Sequence, residues 1–252
     1  MAEVGVKHRG RLRRITDFVQ AEAGILLAIA VACGLVLAFL GLADEVVEGE
    51  TEAFDNAVLL AFRTPGNPND LLGPPWAEEM VRDVTSLGSF ACLAILVTIV
   101  VGGLLLAKMR GAALLVLVSV LSGTAISTLL KLGYARPRPD IAHGMREFTA
   151  SFPSGHAMLS AITFLTLGAL LARLAPNRRR KIYAMGVAII LTVMVGISRI
   201  YLGVHFPSDV LAGWCLGAAW ALVCSAVALY LQKRGAVEAP RPEVSDAQAP
   251  RA

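Results

Sequence analysis

Ser198-Arg-Ile-Tyr-Leu-Gly-Val-His-Phe-Pro-Ser-Asp209 puts an arginine, a histidine and a carboxylate into twelve residues. Apolar runs flank the stretch on both sides, over residues 182–198 and 210–232. Ionisable groups beside membrane-length apolar segments are costly and mark functional sites. His205 and Asp209 are four apart, so a helix starting near Pro207 and Ser208 can bring them together. A neutral imidazole is a competent nucleophile toward phosphorus, and a carboxylate on one ring nitrogen selects its tautomer. Arg199 has the planar fork that holds phosphate oxygens two at a time. These twelve residues therefore set both the fold class and the chemistry to test along the rest of the chain.

The composition agrees with a membrane setting. The 252 residues are 56% hydrophobic and 17% charged, with a mean hydropathy of +0.65. Soluble domains carry about 25% charged residues. A span needs about 20 apolar residues, and the chain reads as an all-α bundle of six such spans, at about 23–43, 85–107, 111–130, 156–174, 182–199 and 209–232. The first follows the basic arm 1–22, is long enough to span a bilayer and lacks a convincing small-residue cleavage site before the acidic stretch, so it reads as a retained span. Residues 44–83 are acidic, with amphipathic pieces on either side of a Pro/Gly/Asn loop at 64–75. They read as short interfacial helices between spans one and two, with Trp76 suited to the headgroup level. Residues 233–252 are rich in Pro, Ala and charge and read as a disordered tail.

Threading the chain with both termini inside puts sixteen of the 23 Lys and Arg on the cytoplasmic side. Arg63, Arg82, Lys131, Arg136, Arg138, Arg146 and Arg199 fall outside. The asymmetry satisfies the positive-inside rule. Most of the outer cations cluster in polar islands, which suggests that they hold an anion.

Two further islands complete the candidate site. Phe152-Pro-Ser-Gly-His156 opens the fourth apolar run, with Ser154 as a natural N-cap and Gly155 permitting close backbone approach. A helix start of this kind offers free N–H groups to an anion, with His156 at its mouth. Lys131 and Arg138, each an ordinary interfacial cation when taken alone, join Arg199 in an oxyanion cradle. Cys33, Cys92, Cys215 and Cys224 lie in apolar runs without CxxC spacing and read as buried hydrophobes. Gly213 and Gly217 form a GxxxG suited to close helix packing within the bundle.

The three islands resemble the signature of the type 2 phosphatidic acid phosphatase superfamily. That signature is a lysine, six residues and Arg-Pro; then Pro-Ser-Gly-His; then Ser-Arg, five residues, His, three residues and Asp. Lys131 to Arg138-Pro139, Pro153 to His156 and Ser198 to Asp209 match it in order and at full spacing. The family spacing selects Arg138, whereas the residues by themselves allow Arg136 equally. The resemblance implies a lipid phosphate phosphatase that needs neither metal nor other cofactor. By it, His205 attacks phosphorus and forms a phosphohistidine, and Asp209 orients it. His156 protonates the leaving oxygen and then activates water. Lys131, Arg138, Arg199 and the backbone at Ser154–Gly155 stabilise the transferring phosphoryl group. The implied partners are a lipid phosphate and the bilayer, with no nucleic acid. Undecaprenyl pyrophosphate, phosphatidylglycerophosphate and phosphatidic acid are the candidate substrates, the first leading because of what the family does. A non-catalytic lipid-phosphate binder or transporter is the competing reading. It has no use for His156, His205 and Asp209 together. A vanadate-dependent oxidase is a third, disfavoured because those relatives are soluble.

Overall fold

The computed structural model describes residues 2–141 and 149–233, with side chains from residue 22 onward. Arg146, the side chains of the basic arm and the tail beyond Lys233 lie outside the described residues. The chain folds as α1 (Ala2–Glu48), α2 (Glu52–Ala61), β1 (Arg63–Thr64), β2 (Asn67–Leu71), α3 (Pro75–Ser86), α4 (Phe90–Leu106), α5 (Arg110–Tyr134), α6 (Gly155–Leu174), α7 (Arg178–Tyr201) and α8 (Pro207–Lys233). Five of these helices are long and apolar enough to cross a membrane, and a sixth span results if α3 and α4 count as one helix bent by 48°. The sequence predicts span two unbroken over 85–107. Instead the helix breaks between α3 and α4, and Ser89 caps the restart by accepting from the Cys92 N–H.

The Pro/Gly/Asn loop departs slightly from an all-helical reading. It closes a two-stranded antiparallel hairpin, Arg63 opposite Leu71 and Thr64 opposite Asn67. Gly66, at φ +85°, makes the turn. Arg63 anchors this hairpin to the bundle by donating to the Phe62 and Tyr201 carbonyls at 3.1 and 2.8 Å. Burial pushes the Arg63 pKa below its ordinary value. Tyr201 returns a bond from its hydroxyl to the Leu72 carbonyl at 2.9 Å.

Helix α6 is the most buried span and lies among α5, α7 and α8. Small residues let it do so. A Cβ on Gly217 would stand 2.6 Å from both Ala161 Cβ and the Met158 carbonyl, and one on Gly213 would stand 2.8 Å from the Ser154 carbonyl. The GxxxG of α8 is thus spent on α6 of the same chain. Its glycines remove side chains where two backbones meet. Helix α1 covers α8 through Phe39 and Ala43, which pack with Phe152 and Ala212. Ser119 and Thr166 bond across α5 and α6 at 3.0 Å, as expected of hydroxyls in an apolar bundle. The four cysteines are free thiols, and Cys33 and Cys92 are exposed on the apolar surface.

Candidate active site

Four helix ends converge at one end of the bundle: the C-termini of α5 and α7 and the N-termini of α6 and α8. Each delivers one of the residues singled out in the sequence. Lys131 sits in the last turn of α5 and Arg199 in the last turn of α7. Gly155 and His156 open α6, and Asp209 lies in the first turn of α8.

The start of α8 is built locally. Pro207 occupies the first helical position, where its missing N–H costs nothing. Asp209, two residues on, reaches back so that Oδ2 accepts from the Phe206 N–H at 2.9 Å. This is the acidic half of a capping box, and it holds the carboxylate beside the preceding turn. His205, four residues before Asp209, brings Nδ1 to 3.4 Å from Oδ2. Ser151 donates its hydroxyl to the same oxygen and stands 3.3 Å from His205 Nδ1.

Arg138 defines the other face of the imidazole. Its Nη1 lies 3.1 Å from His205 Nε2 and donates to the Val204 carbonyl at 2.8 Å. A guanidinium has no acceptor, so Nε2 must accept and Nδ1 must carry the proton, which points to Asp209. That is the tautomer a phosphorus nucleophile needs. His205 is 1% exposed. Burial, reinforced by Arg199 and Arg138, drives its pKa down to about 4 against the opposing pull of Asp209. The imidazole is therefore neutral at physiological pH, with its lone pair among cations.

The remaining cations are held by backbone and hydroxyl oxygens. Lys131 Nζ donates to the Ala150 carbonyl at 2.8 Å and faces Thr149 Oγ1 at 3.4 Å. A Cβ on Gly155 would lie 3.3 Å from Lys131 Cε, so this glycine makes room for the lysine. Arg199, 1% exposed, donates to Thr85 of α3 at 3.3 Å. His156 stands half-buried in the first turn of α6, against the α3–α4 break at Gly88.

One expectation needs correcting. The Ser154 N–H is already committed to the Asp209 carbonyl at 2.9 Å, and its hydroxyl oxygen caps α6 by accepting from the Ala157 N–H. Ser154 thus splices α6 to α8, and its backbone is not a donor to a ligand. Gly155 belongs to the open first turn, where N–H groups face no intrahelical acceptor.

The structure separates the two arginines that the residues by themselves left equivalent and of which the family spacing selects Arg138. Arg138 faces the imidazole, whereas Arg136 grips Asp209 Oδ1 at 2.7 Å and Ser208 Oγ at 2.8 Å. Its Nη2 reaches Asp55 Oδ2 at 2.9 Å. Ser151, Thr149, Thr85 and Asp55 were not singled out by sequence reasoning. Ser151 stands three residues before Ser154, so proximity to that island was a usable signal. Asp55 lies 154 positions before Asp209 within an acidic stretch, and nothing local distinguished it.

Residues 112–233 match the PAP2 superfamily. Phosphatidylglycerophosphatase B of Bacillus subtilis is 33% identical over 186 residues, covering 73% of this chain and 87% of that protein. An undecaprenyl-diphosphatase of Sulfolobus acidocaldarius is 41% identical over 68 residues, 27% of this chain and 29% of that one. Among solved structures, a transmembrane PAP2 type phosphatidylglycerolphosphate phosphatase from Bacillus subtilis superposes with a TM-score of 0.71 at 31% identity, covering 78% of this chain and 94% of that one.

Proposed function

The chain belongs to the PAP2 superfamily, and from that premise we propose that this multi-pass membrane protein is a lipid phosphate phosphatase working through a phosphohistidine. The observation that carries the reading is the Arg138–His205–Asp209 line. It leaves a neutral, buried imidazole with a proton on Nδ1 and a lone pair on Nε2.

In the first step His205 Nε2 forms an N–P bond as the P–O bond to the lipid breaks. His156, protonated, gives its proton to the departing oxygen. In the second step a water oxygen attacks phosphorus, its proton passes to His156, and the N–P bond breaks to release inorganic phosphate. Asp209 holds the Nδ1 proton throughout and offsets the positive charge that His205 gains. Lys131, Arg138 and Arg199, with the Gly155 N–H, hold the phosphoryl oxygens. These cations supply the charge stabilisation a metal gives elsewhere, and the two buried carboxylates nearby already accept from Arg136, Ser208, Ser151 and Phe206. The reading therefore assigns no metal or other cofactor.

The bundle is organised as a cytoplasmic arm (1–22), a six-span domain (23–232) and a cytoplasmic tail (233–252), with the site on the outer face. A lipid phosphate reaches this site with its tail in the bilayer and its headgroup among the cations. The phosphatidylglycerophosphatase of Bacillus subtilis matches over 73% of the chain, while the undecaprenyl-diphosphatase of Sulfolobus acidocaldarius matches over 27%. A glycerophospholipid monoester therefore replaces undecaprenyl pyrophosphate as the first substrate to try. The test is a phosphate-release panel over phosphatidylglycerophosphate, phosphatidic acid and undecaprenyl pyrophosphate with EDTA present. Wild type should release phosphate and His205→Ala should release none. Normal turnover by the alanine variant would remove His205 as nucleophile, and binding without turnover by wild type would favour the non-catalytic reading.

A further inference from the structure

Arg136-Pro137-Arg138-Pro139 contains two arginines that each precede a proline, and such residues are held out of the helical region. The two arginines run alongside residues 204–209 and grip opposite ends of it. Arg138 takes Val204 and His205, and Arg136 takes Ser208 and Asp209. Behind Arg136 stands Asp55, from the first turn of α2, with no exposed surface. Its two oxygens accept from the Ser208 N–H at 2.9 Å, the Ser208 hydroxyl at 2.6 Å and Arg136 Nη2 at 2.9 Å. Arg136 is itself 12% exposed at the side chain and lies over the Phe206 ring at 4.4 Å. Asp55, Arg136 and Asp209 thus form one chain of alternating charge that ends at His205.

The charges decide what this chain does. Arg136 alone against Asp209 would pair off the carboxylate that His205 needs. With Asp55 on the far side, the guanidinium is shared between two carboxylates, and the three groups together keep one net negative charge. In a buried setting that charge acts strongly on an imidazole in hydrogen-bond contact. We propose that Asp55 and Arg136 are positioning residues for phosphoryl transfer: they fix the orientation of Asp209 and preserve its net charge, so that the Nδ1–H tautomer of His205 and the cationic phosphohistidine are both stabilised. The proposal rests on the phosphatase reading above. It also gives the acidic segment before α3 a task, since Asp55 is its deeply buried carboxylate at the site.

A double-substitution cycle separates this from a tie that merely fastens α2 to α8. Asp55→Asn, Arg136→Gln and the double variant are purified in detergent, checked by thermal melting, and assayed for phosphate release from phosphatidylglycerophosphate. The net charge of the triad goes from −1 to 0 in the first, to −2 in the second, and back to −1 in the double variant. Each single variant should lose about 10- to 100-fold in kcat with little change in KM. The double variant should recover about tenfold over Arg136→Gln. If Arg136→Gln does not fold, Arg136→Lys keeps the charge and should lose less kcat than Asp55→Asn. A second readout is independent of turnover: the 15N spectrum of His205 should show a single Nδ1–H tautomer in wild type and a mixture in the single variants. Folded single variants with wild-type kcat and a wild-type imidazole spectrum would overturn the proposal, as would losses that simply add in the double variant. If wild type releases no phosphate from any lipid while the tautomer still responds to Asp55 and Arg136, the phosphatase reading fails and only their control of the Asp209–His205 pair stands.

Discussion

Arg138 and Asp209 hold His205 from opposite sides, but its ionisation is set first by burial, with Asp209 opposing the downward shift. With the folded pKa near 4 and the ordinary value at 6.5, the unfolded chain binds a proton between those values that the folded chain does not. Stability therefore falls as pH drops from about 6.5 to about 4, and His205 contributes no further loss above that window. Activity has a matching signature. The nucleophile should stay unprotonated down to about pH 5, so kcat/KM should show no His205 limb near 6.5. A limb at 6.5 that persists in His156→Ala would mean that the imidazole is solvated. Ser151 acts one step further out. Ser151→Ala removes a donor to Asp209 and should lower kcat by about tenfold without moving KM, as loss of an outer-shell partner does. Unchanged kcat would show that Phe206 and Arg136 suffice to hold the carboxylate.

Among elements, the junction of α6 with α8 governs the site most directly. The Ser154 N–H, the Asp209 carbonyl and the small face of Gly213 all lie at the same crossing. A methyl group at Gly213 would press on the Ser154 carbonyl and on Ala157, which are backbone and a helical Cβ that cannot swing away. Gly213→Ala should therefore cost about 1–3 kcal/mol, read as a lower melting temperature in detergent, and should also reduce activity because the α6 start shifts. Gly34→Ala, in α1 with nothing within 4 Å of the added Cβ, is the control and should melt as wild type does. Equal melting of the two variants would mean that the crossing is looser than drawn. Helix α3 has a comparable part on the other flank, since its Thr85 accepts a hydrogen bond from Arg199.

Across the whole molecule, the up-and-down order of spans brings two helix N-termini and two cation-bearing C-termini to one end. Helix starts favour anions and helix ends favour cations, so the bundle gathers N–H groups and cationic side chains at that end, as a site for an anion requires. Two further cations of the polar loops, among the described residues, make structural contacts: Arg63 pins the hairpin to α7 and Arg82 pairs with Glu78 at 2.6 Å. The membrane orientation can be measured in a cysteine-free background. A cysteine at Asn69, on the hairpin beside the site, should react with an impermeant thiol reagent applied to intact cells. A cysteine at Asn177, between α6 and α7, should not. The reverse pattern would place the site on the inner face.

Long apolar runs, the order of the three polar islands and the spacing of His205 and Asp209 were legible in the sequence. Each depends on local periodicity or on a helix start within a few residues. The capping geometry that turns Asp209 toward His205 is of the same kind, since Phe206, Pro207 and Asp209 are neighbours. Residue patterns alone could not tell Arg136 from Arg138, because two arginines two apart are chemically equal until something faces each of them. Asp55 was likewise one acid among many until α2 docked on α8 and removed it from water. The Ser154 N–H looked available for an anion until the Asp209 carbonyl of another helix claimed it. In each case the deciding partner lies far along the chain, from 67 positions for Arg138 and His205 to 153 for Asp55 and Ser208, and on another element for Ser154. Burial then enforces the choice, because a charge or donor withdrawn from water must find a specific partner.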